Sequence, residues 1–192
     1  MQSQSTLIAS PRQTREQLLN HMLTNVRGEE ARTAFLHEPR IQLSFEVCCA
    51  VGARPCRCAD NAQDGFDYLR SLNQRDVQIA LGFMVIHEYW NIRVIEHAWL
   101  VMYEDGKEMI VDPTIPFLLV ERFPTYFQGA IDNPNRPYPD LRNRQYKAAF
   151  LAAKHLAETC EYPFMETAKR RIHIGRMNWI EGLDASEGRV SR

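Results

Sequence analysis

The chain has 192 residues, 45% of them hydrophobic and 24% charged, with a formal net charge of −1. These values fit one globular domain, 1–192, large enough for a sizeable core, and they carry no electrostatic footprint for nucleic acid. No apolar run approaches the roughly 18 residues of a membrane span, and Met1 to Ser10 lacks the start of a secretory signal. The expected place is therefore a cytoplasm, the cell's own or that of a host.

Residues 1–12 are polar and expected to be flexible. Thr14 with Gln17 has the form of a capping box, and Leu18, Leu19, Met22, Leu23 and Val26 follow at helical spacing. A second short helix is expected over Ala31 to His37, stopped before Pro39. Ile41, Leu43, Phe45 and Val47 alternate with Gln42, Ser44 and Glu46, and that period of two predicts a half-buried strand. Val51 to Pro55 reads as loop. A helix is expected from Cys56–Cys58 to about Ser71, with Cys58, Ala62, Phe66 and Leu69 on one stripe. Gly65 weakens its middle by about 1 kcal/mol relative to Ala.

Val77, Ile79, Leu81 and Phe83 alternate again and predict a second strand. His87-Glu88-Tyr89-Trp90-Asn91 reads as an aromatic loop, and a third strand enters at Arg93. Two apolar runs, Ala98 to Tyr103 and Met109 to Val111, then flank Asp105-Gly106, a strong hairpin signal because both loop residues tolerate positive φ. With a two-residue loop Glu104 faces Lys107, and counting outward sets Trp99 opposite Asp112. Side chains alternate, so His97, Trp99 and Asp112 share one face, with His97 diagonal to Asp112. A one-residue change in the turn would put His97 and Asp112 on opposite faces.

After Thr114, five prolines from Pro116 to Pro139 punctuate an irregular excursion that covers part of the sheet. Leu141 to Thr159 reads as a helix. Phe164 to Trp179 has no decisive period, its Lys169-Arg170-Arg171 run reads as a solvated face, and residues 183–192 read as a flexible tail. The expected fold class is α+β: an antiparallel sheet of about four strands, the cysteine-bearing helix packed against it, and further helices at both ends.

Five cysteines are present: Cys48, Cys49, Cys56, Cys58 and Cys160. The odd count, the clustering and the missing export signal favour reduced thiols. Cys58 stands at a helix N-terminus after Arg54 and Arg57, where backbone N–H groups and cations favour thiolate and could hold an oxyanion. With His97 and Asp112 downstream, the chain order suits a nucleophile, a base and a group that orients the base. Cys56 competes for the first role, although the helical stripe and the spacing to Asn61-Ala62 favour Cys58. His87 is an alternative base. Zinc on the four clustered cysteines fits usual ligand spacing poorly, and no metal is expected. Trp99 is core or a wall of the site, Tyr89 and Trp90 are a lid, a substrate platform or a satellite cluster, and Gln42 is the guess for an oxyanion side chain.

Cys58-Ala59-Asp60-Asn61-Ala62, Ala80-Leu81-Gly82-Phe83, Ile95-Glu96-His97-Ala98-Trp99-Leu100 and Asp112-Pro113-Thr114 together resemble the core of transglutaminase-like proteins within the papain-like superfamily. The resemblance covers about residues 56–116, within an expected catalytic core of 41–116. It implies Cys58 as nucleophile, His97 as base and Asp112 as orienter, with Asn61 matching an Asn-Ala found in some bacterial and phage members. It implies a thiol-dependent amide hydrolase, peptidase or glutamine deamidase, working through an acyl-thioester on a protein or peptide, without cofactor. Transfer to an amine, as in a transglutaminase, is the alternative. Ala59 stands where many members carry Trp, which motivates an alternative of another class, a non-catalytic binding or inhibitory module on the same scaffold.

Overall fold

Two pairing registers set the sheet. Glu104 pairs with Lys107 across a turn in which Gly106 takes φ +75°, and Glu88 pairs with Asn91. These registers make an antiparallel meander of β1 (Val77–Glu88), β2 (Asn91–Glu104) and β3 (Lys107–Val111). A fourth antiparallel strand, β4 (Thr125–Ile131), joins the free edge of β1, giving the order β3-β2-β1-β4. A short β5 (Arg171–Ile174) runs parallel to β2 along Asn91 to Val94. The computed structural model describes residues 14–74, 76–88, 91–104, 106–118, 120, 122–131, 144–159 and 171–174.

Among the described residues five helices accompany this sheet: α1 (Arg15–Met22), α2 (Glu29–Leu36), α3 (Pro39–Val51), α4 (Cys58–Ser71) and α5 (Arg144–Thr159). The α+β class expected from the sequence is therefore present, and the capping box forms, with Thr14 Oγ1 accepting from Gln17 N–H and Gln17 Oε1 from Thr14 N–H. One face of the sheet carries α4 and α5. Ala62 and Leu69 of α4 meet Ala98, Leu100 and Met102, while Tyr146, Ala149, Phe150 and Ala153 of α5 meet Phe83, Val85, Ile92 and Val94. On the other face, α1 to α3 and the 3-10 turn Ile115–Phe117 enclose Met84 and Ile86. Gly65 is the contact point of α4 on the sheet: a Cβ there would lie 3.0 Å from Leu100, 3.1 Å from Val47 and 3.2 Å from Pro113. Its cost in helix propensity accompanies a close helix–strand approach.

The structure corrects three expectations. The strand over Ile41 to Val47 is instead helix α3. Its buried residues Ile41, Ser44, Phe45 and Cys48 recur at three and four, and Pro39 opens it where a missing N–H costs nothing. Val47 is also buried because α3 lies between two apolar clusters, and this second buried flank produced the apparent alternation. The excursion after Thr114 contains a strand, β4, which supplies the fourth place in the sheet. Glu88 and His87 belong to β1, not to a loop, and His87 is fully buried. Residues 1–13, 160–170 and 175–192, with Cys160 and the proposed tail among them, lie outside the described residues. Among the described residues no helix is long and apolar enough to cross a membrane.

Candidate functional site

The last pair of the β2–β3 ladder is Leu100 with Val111, so the next step outward sets Trp99 against Asp112, as the turn register requires. Pro113, with no N–H to donate, follows where the ladder ends. His97 and Asp112 fall on the same face, and His97 Nε2 lies 2.8 Å from Asp112 Oδ2. Both side chains are buried.

A carboxylate in such a place needs donors on every lone pair it exposes, and Asp112 has them. Tyr126 O–H donates to Oδ2 at 2.8 Å, Thr114 N–H donates to Oδ1 at 2.9 Å, and the Thr114 hydroxyl donates to the same oxygen. Thr114 Oγ1 also lies 3.0 Å from His97 Nε2. The Asp112 N–H donates to Ser44 Oγ of α3 at 2.9 Å. Trp99 runs nearly parallel to the imidazole at 12°, and Tyr126 stands 5.0 Å from Trp99 by ring centroids. Together they close the imidazole in.

Cys58 comes to His97 from the opposite face of the sheet. Among the described residues, β3 pairs with β2 only as far as Leu100, and β5 only as far as Val94. Residues 95–99 of β2 thus have an uncovered edge, and the first residue of α4 sits there. The Cys58 sulfur lies against the His97 ring and the Ala98 N–H, near enough for both to draw its pKa down. Since Nε2 is engaged by Asp112, Nδ1 is the ring nitrogen left for sulfur. Asn61, 2% exposed, fixes the approach: its Oδ1 accepts from Arg54 N–H at 3.0 Å and its Nδ2 donates to Arg54 O at 2.7 Å. That clamp holds the loop that delivers Arg57 and Cys58. No side chain caps α4, although Arg57 pairs with Asp60 in its first turn at 2.5 Å.

Burial works against charge at all three groups, and their mutual contacts overcome it. Burial opposes the Cys58 thiolate, but the hydrogen bond and charge of His97 and the Ala98 N–H pull its pKa below the ordinary 9.0. Burial likewise opposes the imidazolium, yet the Asp112 charge and hydrogen bond, then Cys58, raise His97 from 6.5 to about 10. Burial would raise Asp112, and the His97 charge and the bonds from His97 and Thr114 hold it low. Burial, then Asp112, keep the Tyr126 phenol protonated. By contrast, burial pushes Cys48 up to about 12. The arrangement therefore shifts the thiol toward thiolate beside an imidazole that is held charged by the carboxylate on its far nitrogen.

The other expected site residues divide. Cys56 is exposed, at φ +60°, two residues ahead of α4. Cys48 is buried in the cluster beneath α1 and α3, so the four described cysteines do not gather, and no group of three metal-binding side chains forms among the described residues. Gln42 is exposed on α3, where the expected strand is absent. His87 has Arg122 Nη2 at 3.0 and 3.2 Å from its ring nitrogens and pairs with Ile92, far along the strands from the His97–Gly82 pair. Tyr89 and Trp90 lie outside the described residues. The sequence reading missed Ser44, Thr114 and Tyr126 as partners of Asp112. Only Thr114 carried a signal, as the hydroxyl two residues beyond the carboxylate. Comparison with family models, curated proteins and solved structures returned no match.

Proposed function

We propose that the chain is a thiol-dependent amide hydrolase, a peptidase or glutamine deamidase acting on a protein or peptide. The observation that carries this reading is the placing of Cys58 beside His97, whose Nε2 is bound to Asp112 at 2.8 Å, with the thiol held below its ordinary pKa. The transglutaminase-like resemblance of residues 56–116 supports it, as does the uncapped start of α4, whose N–H groups face the same end of the helix as the sulfur.

The chemistry follows from these groups. Cys58 sulfur attacks the amide carbon, and the carbonyl π pair moves to oxygen, where α4 N–H groups meet the developing charge. On collapse the C–N bond breaks, and His97 gives its proton to the leaving amine. Water then attacks the thioester while His97 takes its proton. The C–S bond breaks, and the free acid leaves with the thiolate and imidazolium restored. An amine in place of water would give transglutaminase-type transfer.

The first test is alkylation by iodoacetamide at pH 6.5, read for each cysteine by mass spectrometry. Exposure alone favours Cys56. Thiolate formation instead makes Cys58 react about tenfold faster or more, and His97→Ala abolishes the advantage. Equal, slow labelling of both residues would sink the enzyme reading and leave the binding-module alternative. Incubation with a protein mixture, read for cleavage, deamidation or cross-links, then separates the possible outcomes of the thioester.

A further inference from the structure

On the face covered by α4 and α5, β2 presents Ile92, Val94, Glu96, Ala98, Leu100 and Met102. Five of these are apolar and lie under a helix. Glu96 is the exception, an exposed carboxylate between the residues under α5 and those under α4. Leu81 bridges the same two clusters from β1, so Leu81 and Glu96 form the floor between the helices. A buried-face row seldom carries a charge without a use for it.

This carboxylate is also held in place. The Tyr146 hydroxyl of α5 donates to Glu96 Oε1. Tyr146 itself is 1% exposed, lies 5.0 Å from the Phe83 ring, and presses on Gly129, where a Cβ would fall 2.5 Å from it. The next residue on the same face beyond Glu96 is Ala98, whose N–H lies near the Cys58 sulfur and helps lower its pKa. Two strand positions span about 7 Å, the reach of a lysine or arginine side chain from its own backbone. Arg57, next to Cys58 in the chain, is paired with Asp60, and among the described residues no cation pairs with Glu96.

We propose that Glu96, oriented by Tyr146, is a specificity-determining residue that receives a cation on the substrate, a lysyl or arginyl side chain beside the scissile carbonyl. The inference rests on the thiolate reading of Cys58 and narrows its substrates to basic peptides. A structural role for Glu96, as acceptor for Tyr146 alone, is met equally well by glutamine, so Glu96→Gln separates charge from shape.

The test uses three methanethiosulfonates that differ only in the group transferred: ethylammonium, ethylsulfonate and methyl. Each thiolate displaces sulfinate and forms a mixed disulfide, so no oxidant is needed. Rates at Cys58 are measured residue by residue at pH 6.5 and low salt, and each charged reagent is normalised to methyl in the same variant. Glu96→Gln is expected to lower the ammonium-to-sulfonate ratio about five- to tenfold, and the effect shrinks in high salt. Asp60→Asn is expected to move it much less. A ratio unchanged in Glu96→Gln, or moved equally by Asp60→Asn, overturns the proposal while fast methyl labelling of Cys58 leaves the nucleophile intact. If methyl labels Cys58 no faster than Cys56, the thiolate reading fails and this inference falls with it.

Discussion

If the proton has moved from sulfur to imidazole, the native protein and the unfolded chain hold the same number of protons over a wide pH range, and removing the thiol breaks that balance. His97 is raised to about 10, so its contribution to stability is complete below its ordinary 6.5 and is lost as pH climbs toward 10. Cys58 is lowered, so its contribution is complete above the ordinary 9.0 and is lost as pH falls through its native value. Between pH 6.5 and 9 the two trends oppose. The folded state holds one proton on His97, and the unfolded chain holds one on Cys58. In Cys58→Ala the unfolded chain has no such proton, while His97 still keeps its own through Asp112. Stability should then fall by up to about 1.4 kcal/mol per pH unit relative to wild type. From pH 7 to 9 the difference reaches about 2 to 3 kcal/mol, or about 5 to 10 °C in Tm for a chain of this size. The upper end is softened because Cys58 supplies part of the rise at His97. Urea denaturation of both proteins at pH 7, 8 and 9, followed by circular dichroism, measures the slope. The small cavity left by alanine is the same at each pH and cancels. Parallel profiles would refute the thiolate–imidazolium pair, whatever the distances in the fold.

Asp112→Asn removes the largest influence that raises His97, so burial should carry the imidazole below its ordinary 6.5 and return the Cys58 thiol to slow alkylation. Its stability cost should be about 3 to 5 kcal/mol, greatest between about pH 4 and 6.5, where Asp112 is ionised in both states and His97 is protonated in both; urea melts across that range measure it. Asn61→Ala deletes both bonds to Arg54 and should cost about 2 kcal/mol by the same melts. Alkylation of Cys58 should slow in that variant, because the loop is freed. Gly129→Ala forces a Cβ to within 2.9 Å of the Tyr146 Cα, backbone that cannot rotate away, and should cost about 1 to 3 kcal/mol. A melt of Gly129→Ala unchanged from wild type would mean that α5 does not sit against β4 as described.

What could be read from the sequence follows the distance over which each interaction is decided. The pairing of His97 with Asp112 was legible because a two-residue turn fixes it within 15 positions, and counting from Gly106 needs no tertiary information. The Cys58 helix was legible from its own stripe. The rest of the carboxylate's shell depends on contacts that no local period encodes: Ser44 reaches Asp112 from 68 residues upstream, and Tyr126 reaches it from a strand inserted among prolines. Ser44 was concealed by a specific ambiguity. Ile41 and Phe45 belong to a period of two and equally to a helical stripe, and Ser44 decides between them, since a strand would turn it outward and a helix buries it. Read with Pro39, a buried serine would have argued for the helix. The meeting of Cys58 and His97 lay furthest from the sequence, because it requires β3 to stop at Val111 and leave the β2 edge open for the start of α4. Pro113 and the Gly65 contact both bear on that opening: one ends the ladder, and the other lets the helix lie close enough to use the gap. Two residues with no polar side chain thus decide whether the sulfur and the ring can touch at all.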